Sequence, residues 1–309
     1  MAETEIVPST MKLHSLLDDL DSYHDAYVGA MLPVCGGNDI EYWVPNHFQD
    51  EVVDWLTQRF TAQHEMQVLG VGTGNGRKEM PMLDSLRKCF KRVRVSVVEP
   101  AGVIREFQRL AELRENRIAD ADNVLTFEWH QITLDSYMKK SLLASQRQRF
   151  AFIIAVQSLY YVHDIDSTMD FLLDSLEEGG ILLIGMNTAS NKAEEFLREI
   201  PRTKYPSVVS ESILKYLEGY SYVVKRFSLS TTLDVTSVFD DHSADGSKLL
   251  DILTEVVGFR NSASPDLLQS TLASLKSLVT RDGMGRCILD DPADIIVVIK
   301  RPELGNRAQ

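Results

Sequence analysis

Residues 68–76 read Val-Leu-Gly-Val-Gly-Thr-Gly-Asn-Gly, an apolar run that gives way to glycines. Glycine lets a backbone approach a bound group where a Cβ would clash. The dinucleotide fingerprint G-x-G-x-x-G is absent: counted from Gly70 its sixth position is Asn75, and from Gly72 it is Arg77. No Gly-Lys-Ser/Thr run follows, which excludes a P-loop. The next apolar run closes on Glu99, just ahead of Pro100. A carboxylate at that point accepts two hydrogen bonds from a ribose diol. A G-x-G-x-G loop with an acid ending the second strand is the pattern of an S-adenosylmethionine site. S-adenosylmethionine is therefore the expected cofactor, with Gly72, Thr73, Gly74, Glu99 and Pro100 at its site.

These residues need a scaffold, and the chain alternates accordingly. Apolar runs at 66–72, 93–99, 124–129, 150–156 and 181–186 predict five strands. Helical patterns fall between them at 77–90, 103–117, 134–145 and 168–176, the last expected to stop at Gly179 and Gly180. Strands without polar alternation belong to sheets covered on both faces. The β-α repeat predicts an α/β fold with a doubly wound, Rossmann-like parallel sheet. Ahead of it, Leu13, Leu16, Leu17, Leu20, Tyr23 and Tyr27 predict a helix over 11–31, followed by a loop at 32–46 and a second helix from Phe48 to Phe60. Beyond 190, helices are expected at 211–217, 248–256 and 266–278, and strands at 222–229 and 294–300 as an antiparallel edge. The expected division is an N-terminal helical segment (1–62), a cofactor-binding core (63–189), a cap (190–293) and a final strand with tail (294–309).

With 32 Lys and Arg against 45 Asp and Glu, the net charge is −13. Such a surface repels a phosphate backbone, so no nucleic-acid partner is expected, whereas a small cationic substrate suits it. The first ten residues are acidic with no apolar stretch, and the longest apolar runs are of strand length, so neither a secretory signal nor a membrane span is expected. Three widely spaced cysteines, Cys35, Cys89 and Cys287, fit a reducing, cytoplasmic setting. The seven histidines are scattered with no ligand spacing, and no metal is expected.

Several stretches together resemble the histamine N-methyltransferase family over most of the chain. Val98-Glu99-Pro100 matches its Val-Glu-Pro after the second strand, Trp129-His130 its Trp-His after the third, and residues 157–162, Gln-Ser-Leu-Tyr-Tyr-Val, its Gln-x-Leu-Tyr-Tyr-Val. Leu253-Thr254-Glu255 and Pro265-Asp266-Leu267 recur in its C-terminal part. The resemblance implies a monomeric class I methyltransferase with an inserted substrate-binding region. It places Gly72, Glu99 and Val156 at the cofactor, along with Ile104 where the family has glutamine, and Leu134, beside Thr133, where it has serine. For the substrate it implies Tyr23, Tyr27, Glu41, Gln157, Tyr161 and Phe196, the last in place of a tryptophan. The family's asparagine before the last strand is missing, and Asp291 stands there instead.

Methyl transfer from a sulfonium is an in-line displacement, in which proximity and orientation supply most of the gain. A neutral imidazole or amine nitrogen is nucleophilic enough, provided its proton is managed. Glu41 and Gln157 are the candidate catalytic residues, and Asp291 a candidate partner for a cationic substrate. The expected reaction is N-methylation of a small amine or imidazole such as histamine, histidine or a histidine dipeptide. Two alternatives stand beside it: a methyltransferase for a larger acceptor, although the Asp/Asn-Pro-Pro-Tyr run of many base and glutamine methyltransferases is absent, and a non-catalytic cofactor-binding regulator.

Overall fold

Strand β4 (Phe150–Val156) is Phe-Ala-Phe-Ile-Ile-Ala-Val, buried at every position, and it lies in the middle of a seven-stranded sheet. The computed structural model describes residues 13–37, 39–115, 123–145, 147–200 and 207–301. The other strands are β1 (Glu65–Val71), β2 (Arg92–Val98), β3 (Val124–His130), β5 (Leu176–Asn187), β6 (Val223–Leu229) and β7 (Ala293–Ile299). The sheet order is β3-β2-β1-β4-β5-β7-β6. The pairs from β3 through β5 are parallel. β7 runs antiparallel to both neighbours, with Ile296 opposite Ile184 on one side and Arg226 on the other. The final strand thus lies inside the sheet, and β6 takes the edge.

Side chains of successive strand residues point to opposite faces. Val68, Phe152, Ile154, Leu183 and Val297 pack on one face with helix Glu79–Cys89 and the helical stretch that ends at Arg59. Leu69, Ile153, Ala155, Ile184 and Val298 pack on the other with Met169 and Leu172 of helix Ile165–Asp174 and Ile213 of helix Ser210–Leu217. This is a three-layer, doubly wound α/β sheet, as the β-α alternation predicts.

Local chemistry moved three of the expected boundaries. Helix Ile165–Asp174 begins earlier than its apolar pattern because the Asp164 carboxylate accepts the N–H groups of Asp166 and Ser167. Gly179 and Gly180 do not end that helix; they lie within β5, where Gly179 has φ +83° and its carbonyl accepts the Trp55 indole N–H at 2.8 Å. The expected loop over 32–46 contains helix Ile40–Trp43, capped by Asp39, which continues as a π-helix over Val44–Val53.

The chain forms two compact units that interleave along the sequence. The sheet belongs to Gly36–Glu195, Lys204–Thr232 and Asp290–Gln309. The other unit comprises Met1–Cys35, Phe196–Thr203 and Leu233–Leu289, and its described residues are chiefly helical. Its expected N-terminal helix is broken into a 3-10 turn (Leu16–Asp18), an α-helix (Leu20–Ala26) and a π-helix (Tyr27–Met31), because Ser15 and Asp19 each cap a new turn. Helix Ala244–Thr254 ends on Glu255 in the left-handed conformation, and Asp251 accepts the N–H groups of Gly258 and Phe259, both at 2.8 Å. Among the described residues no helix is long and apolar enough to cross a membrane.

The loop after β1 is locked from below. Gly76 has φ +72°, and a Cβ there would sit 2.1 Å from the Phe107 ring. Phe127 and Trp129 stack at 4.9 Å and hold Phe107 edge-on, so that ring has nowhere to go. Gly76→Ala is expected to cost about 2–4 kcal/mol, the sum of left-handed strain and overpacking. A urea titration would show this as a lower midpoint at unchanged slope.

Candidate active site

The strand order reverses between β1 and β4, and in such sheets ligands bind in the crevice beyond the carboxyl ends of the strands at that switch point. The glycine loop leaves β1 there. Gly72 has φ +58° and donates its N–H to the Val98 carbonyl at 2.8 Å, tying the loop to β2. A Cβ at Gly72 would fall 2.4 Å from the Ser158 Cβ, so the loop after β1 is pressed against the turn after β4. Gly74 has φ +54° and faces open space, with nothing within 4 Å of where a Cβ would stand.

Glu99 is 6% exposed and holds two backbone donors, Gly74 N–H to Oε2 at 2.8 Å and Ala101 N–H to Oε1 at 2.9 Å. Each carboxylate oxygen accepts more than one hydrogen bond, so bracing the loop is compatible with receiving a diol. Around this bracket lie buried oxygens with no hydrogen-bond partner: Thr73 Oγ1, Ser158 Oγ and Glu79 Oε2. Buried polar atoms are ordinarily satisfied. Three orphans around one glycine loop mark a place built to receive polar groups.

The remaining positions assigned to the cofactor fall as follows. Pro100 is half-buried beside Glu99. Ile104 is 1% exposed and packs into the core. Thr133 is exposed and caps helix Leu134–Leu143 through Ser136 N–H. Leu134 is buried in the opposite core face. Val156 ends β4.

Gln157 follows β4 with φ +55°, a left-handed conformation in a non-glycine residue. Such backbone costs of order 1–3 kcal/mol and persists where surrounding bonds over-determine it. Those bonds are present. Its N–H donates to the Gly185 carbonyl at 2.8 Å. Its Oε1 accepts the Tyr160 hydroxyl at 2.7 Å, and that hydroxyl accepts the Asn187 N–H at 2.6 Å. Its Nε2 reaches the Asn187 Oδ1 at 3.4 Å. Tyr160 therefore fixes which way the Gln157 amide points. Tyr161 is half-buried and lies edge-on to Tyr160 at 6.0 Å.

Asp291 stands at the same edge of the sheet, just before β7. The fully buried Asn191, from the segment after β5, donates Nδ2–H to its Oδ1 at 2.6 Å and accepts the Glu194 N–H at 3.0 Å. Burial pushes the Asp291 carboxyl up to about 7, with Glu194 adding to the rise and the Asn191 amide and Lys78 opposing it. Asn191 was not singled out from the sequence, because it lies 100 residues from its partner.

Glu41 is exposed on the first turn of helix Ile40–Trp43, with its N–H accepted by Asp39 at 2.9 Å. Tyr23, Tyr27 and Phe196 belong to the helical unit. There Tyr23 and Tyr27 stack at 6.2 Å against Leu16, Ala26 and Ile252, and Phe196 is fully buried.

Comparison with known proteins gives the family. A family described as a methyltransferase domain matches residues 46–226. The histamine N-methyltransferase of Cavia porcellus is 26% identical over 93% of this chain and 98% of its own length, and that of Xenopus tropicalis 27% over the same shares. The Bos taurus enzyme is 27% identical over 84% of this chain and 91% of its own. Among solved structures, the YcgJ protein from Bacillus subtilis superposes with a TM-score of 0.50 at 14% identity, covering 82% of this chain and 99% of that one, a likeness of fold. The family match spans more than half of the chain, which therefore belongs to the methyltransferase domain family, as a homologue of the histamine N-methyltransferases within the class I S-adenosylmethionine-dependent enzymes.

Proposed function

We propose that this protein transfers a methyl group from S-adenosylmethionine to a nitrogen of a small imidazole or amine. The observation that carries the reading is the bracket at the switch point: a glycine loop braced by Glu99 and set against a Gln157 amide of fixed orientation. The residues fit the cofactor. Gly74 leaves room for it, Glu99 suits a ribose diol, and Thr73 and Ser158 hold hydroxyls without protein partners. When bound, S-adenosylmethionine supplies an electrophilic methyl on a sulfonium. The names of the relatives support a small nitrogen acceptor.

In this reading the protein contributes orientation and proton control. Gln157, held by Tyr160, orients the acceptor through its amide. The new bond is N–C and the broken bond is C–S, so the methylated product is cationic until it sheds a proton, from the alkylated nitrogen of an amine or from the other ring nitrogen of an imidazole. Asp291, poised near neutrality, is suited to accept that proton or to pair with a substrate cation. Glu41 is the second candidate for either role. The substrate residues carried by resemblance, Tyr23, Tyr27, Tyr161 and Phe196, are tested by substitution in the same assay. No metal has a part in this reading, and the protein acts as a monomer in the cytoplasm.

Transfer from labelled S-adenosylmethionine to a panel of histamine, histidine, carnosine and unrelated amines, read by product mass, is expected to yield a methylated imidazole or amine. Silence across the panel with cofactor binding intact would favour a larger acceptor or a non-catalytic binder. Glu99→Ala is expected to weaken cofactor binding at least ~10-fold, because it removes charge-assisted hydrogen bonds; unchanged affinity in calorimetry would remove Glu99 from the site. Tyr160→Phe removes the shorter of the two bonds that orient the Gln157 amide and is expected to lower kcat ~10-fold or more with cofactor affinity preserved. Asp291→Asn makes a stability prediction with a definite sign. A carboxyl raised by burial binds its proton more tightly in the folded state, so the wild type loses stability as pH rises from about 4 to about 7. The variant lacks this loss. Its advantage in urea midpoint should be absent at low pH, grow through that window and stay constant above it.

A further inference from the structure

Glu79 opens helix Glu79–Cys89, three residues after Gly76, and residues 66–78 contain no other acid. It shares its face with the buried Met82, Leu83 and Leu86, and the buried Arg87 further along is paired with Asp84. Glu79 is 3% exposed, and its Oε2 has no hydrogen-bond partner. The charged groups that act on it are Lys78, its chain neighbour, and Glu99, the acid that braces the glycine loop. A carboxyl left in this way is costly to the ligand-free protein, since a buried acceptor without a donor forfeits its hydration with no return.

A group that brings both N–H donors and positive charge would satisfy that oxygen and let the carboxyl ionise. Within S-adenosylmethionine the adenine and ribose are neutral. The sulfonium is cationic but carries no hydrogen to donate. The α-ammonium of the amino-acid moiety has both properties. We propose that Glu79 is the binding residue for that α-ammonium, in S-adenosylmethionine and in its demethylated product alike. The inference rests on the cofactor reading above and adds a residue to it. It divides the work of two acids: Glu99 serves the sugar and Glu79 the amino-acid end. Burial pushes the Glu79 carboxyl up to about 8 in the free protein, against the pull of Lys78 and with a further push from Glu99. A cation beside it favours the ionised form, so binding near pH 7 drives a proton off.

The test compares two probes by titration calorimetry in buffers of different ionisation heat. S-adenosylhomocysteine carries the α-ammonium; 5′-methylthioadenosine has the adenosine and sulfur without it. Wild-type protein is expected to release a proton on binding the first and none on binding the second. Glu79→Gln is expected to bind S-adenosylhomocysteine about 10- to 100-fold more weakly, the range of one charge-assisted hydrogen bond, to release no proton, and to bind methylthioadenosine as wild type does. Equal weakening of both probes, or undiminished binding of S-adenosylhomocysteine by the variant, would overturn the assignment. So would equal proton release with both probes in the wild type, a result that needs no variant. If the wild type bound neither probe, the cofactor reading itself would fall, which is a different outcome from the loss of Glu79 alone.

Discussion

Because β1 pairs in parallel with β2 on one side and β4 on the other, the segments leaving the three strands emerge side by side at one edge of the sheet. The contacts at the candidate site depend on that pairing. It sets Ser158 against Gly72, lets the Val98 carbonyl take the Gly72 N–H, and allows Glu99 to reach across to Gly74. A shift of one residue in either register would move every side chain of a strand to the opposite face. In β4, buried at all of its positions, the cost of that shift is steric, because each side chain would meet neighbours of the wrong size in a close-packed core. Hydrophobic packing far from the chemistry therefore sets the position of the loop.

Polar bonds then refine what packing has placed. Gln157 is held in a costly backbone conformation by the Gly185 carbonyl and the Tyr160 hydroxyl, which in turn is fixed by Asn187. Asn191 does the same for Asp291. Both arrangements use an amide or hydroxyl from one loop to orient the group of another, so side chains on neighbouring loops behave as one assembly. Arg226 and Asp294 form a similar pairing in the strands beneath, where Asp294 is fully buried and also meets Ser228 at 2.9 Å.

The parts of this scheme that could be read from the sequence are those encoded locally. The glycine loop, Glu99 and the β-α alternation each occupy a few consecutive residues, and each was placed from spacing alone. The parts that could not be read depend on distant partners or on competition between local signals. Asn191 and Asp291 meet only because β7 returns to the sheet beside β5. Nothing in the text around Glu79 distinguishes it from a surface acid; its burial comes from the helix packing down over the sheet. Gly179 and Gly180 resembled a helix stop, yet they serve a bent strand that accepts the Trp55 indole. The N-terminal helix followed its leucine spacing until Ser15 and Asp19 competed for backbone donors.

The position of β7 has a consequence for how the chain is made. Domains generally fold from the N-terminus as they leave the ribosome. Here the strand between β5 and β6 is made after both of them, and among the described strands of the sheet β6 pairs with no other. Until residues 293–299 emerge, a nascent chain carries an open β5 edge and an unplaced β6. The helical unit waits too, since Met1–Cys35 needs Leu233–Leu289 to complete it. A chain cut short before residue 289 therefore has neither unit closed, and it exposes the unpaired apolar edge of β5.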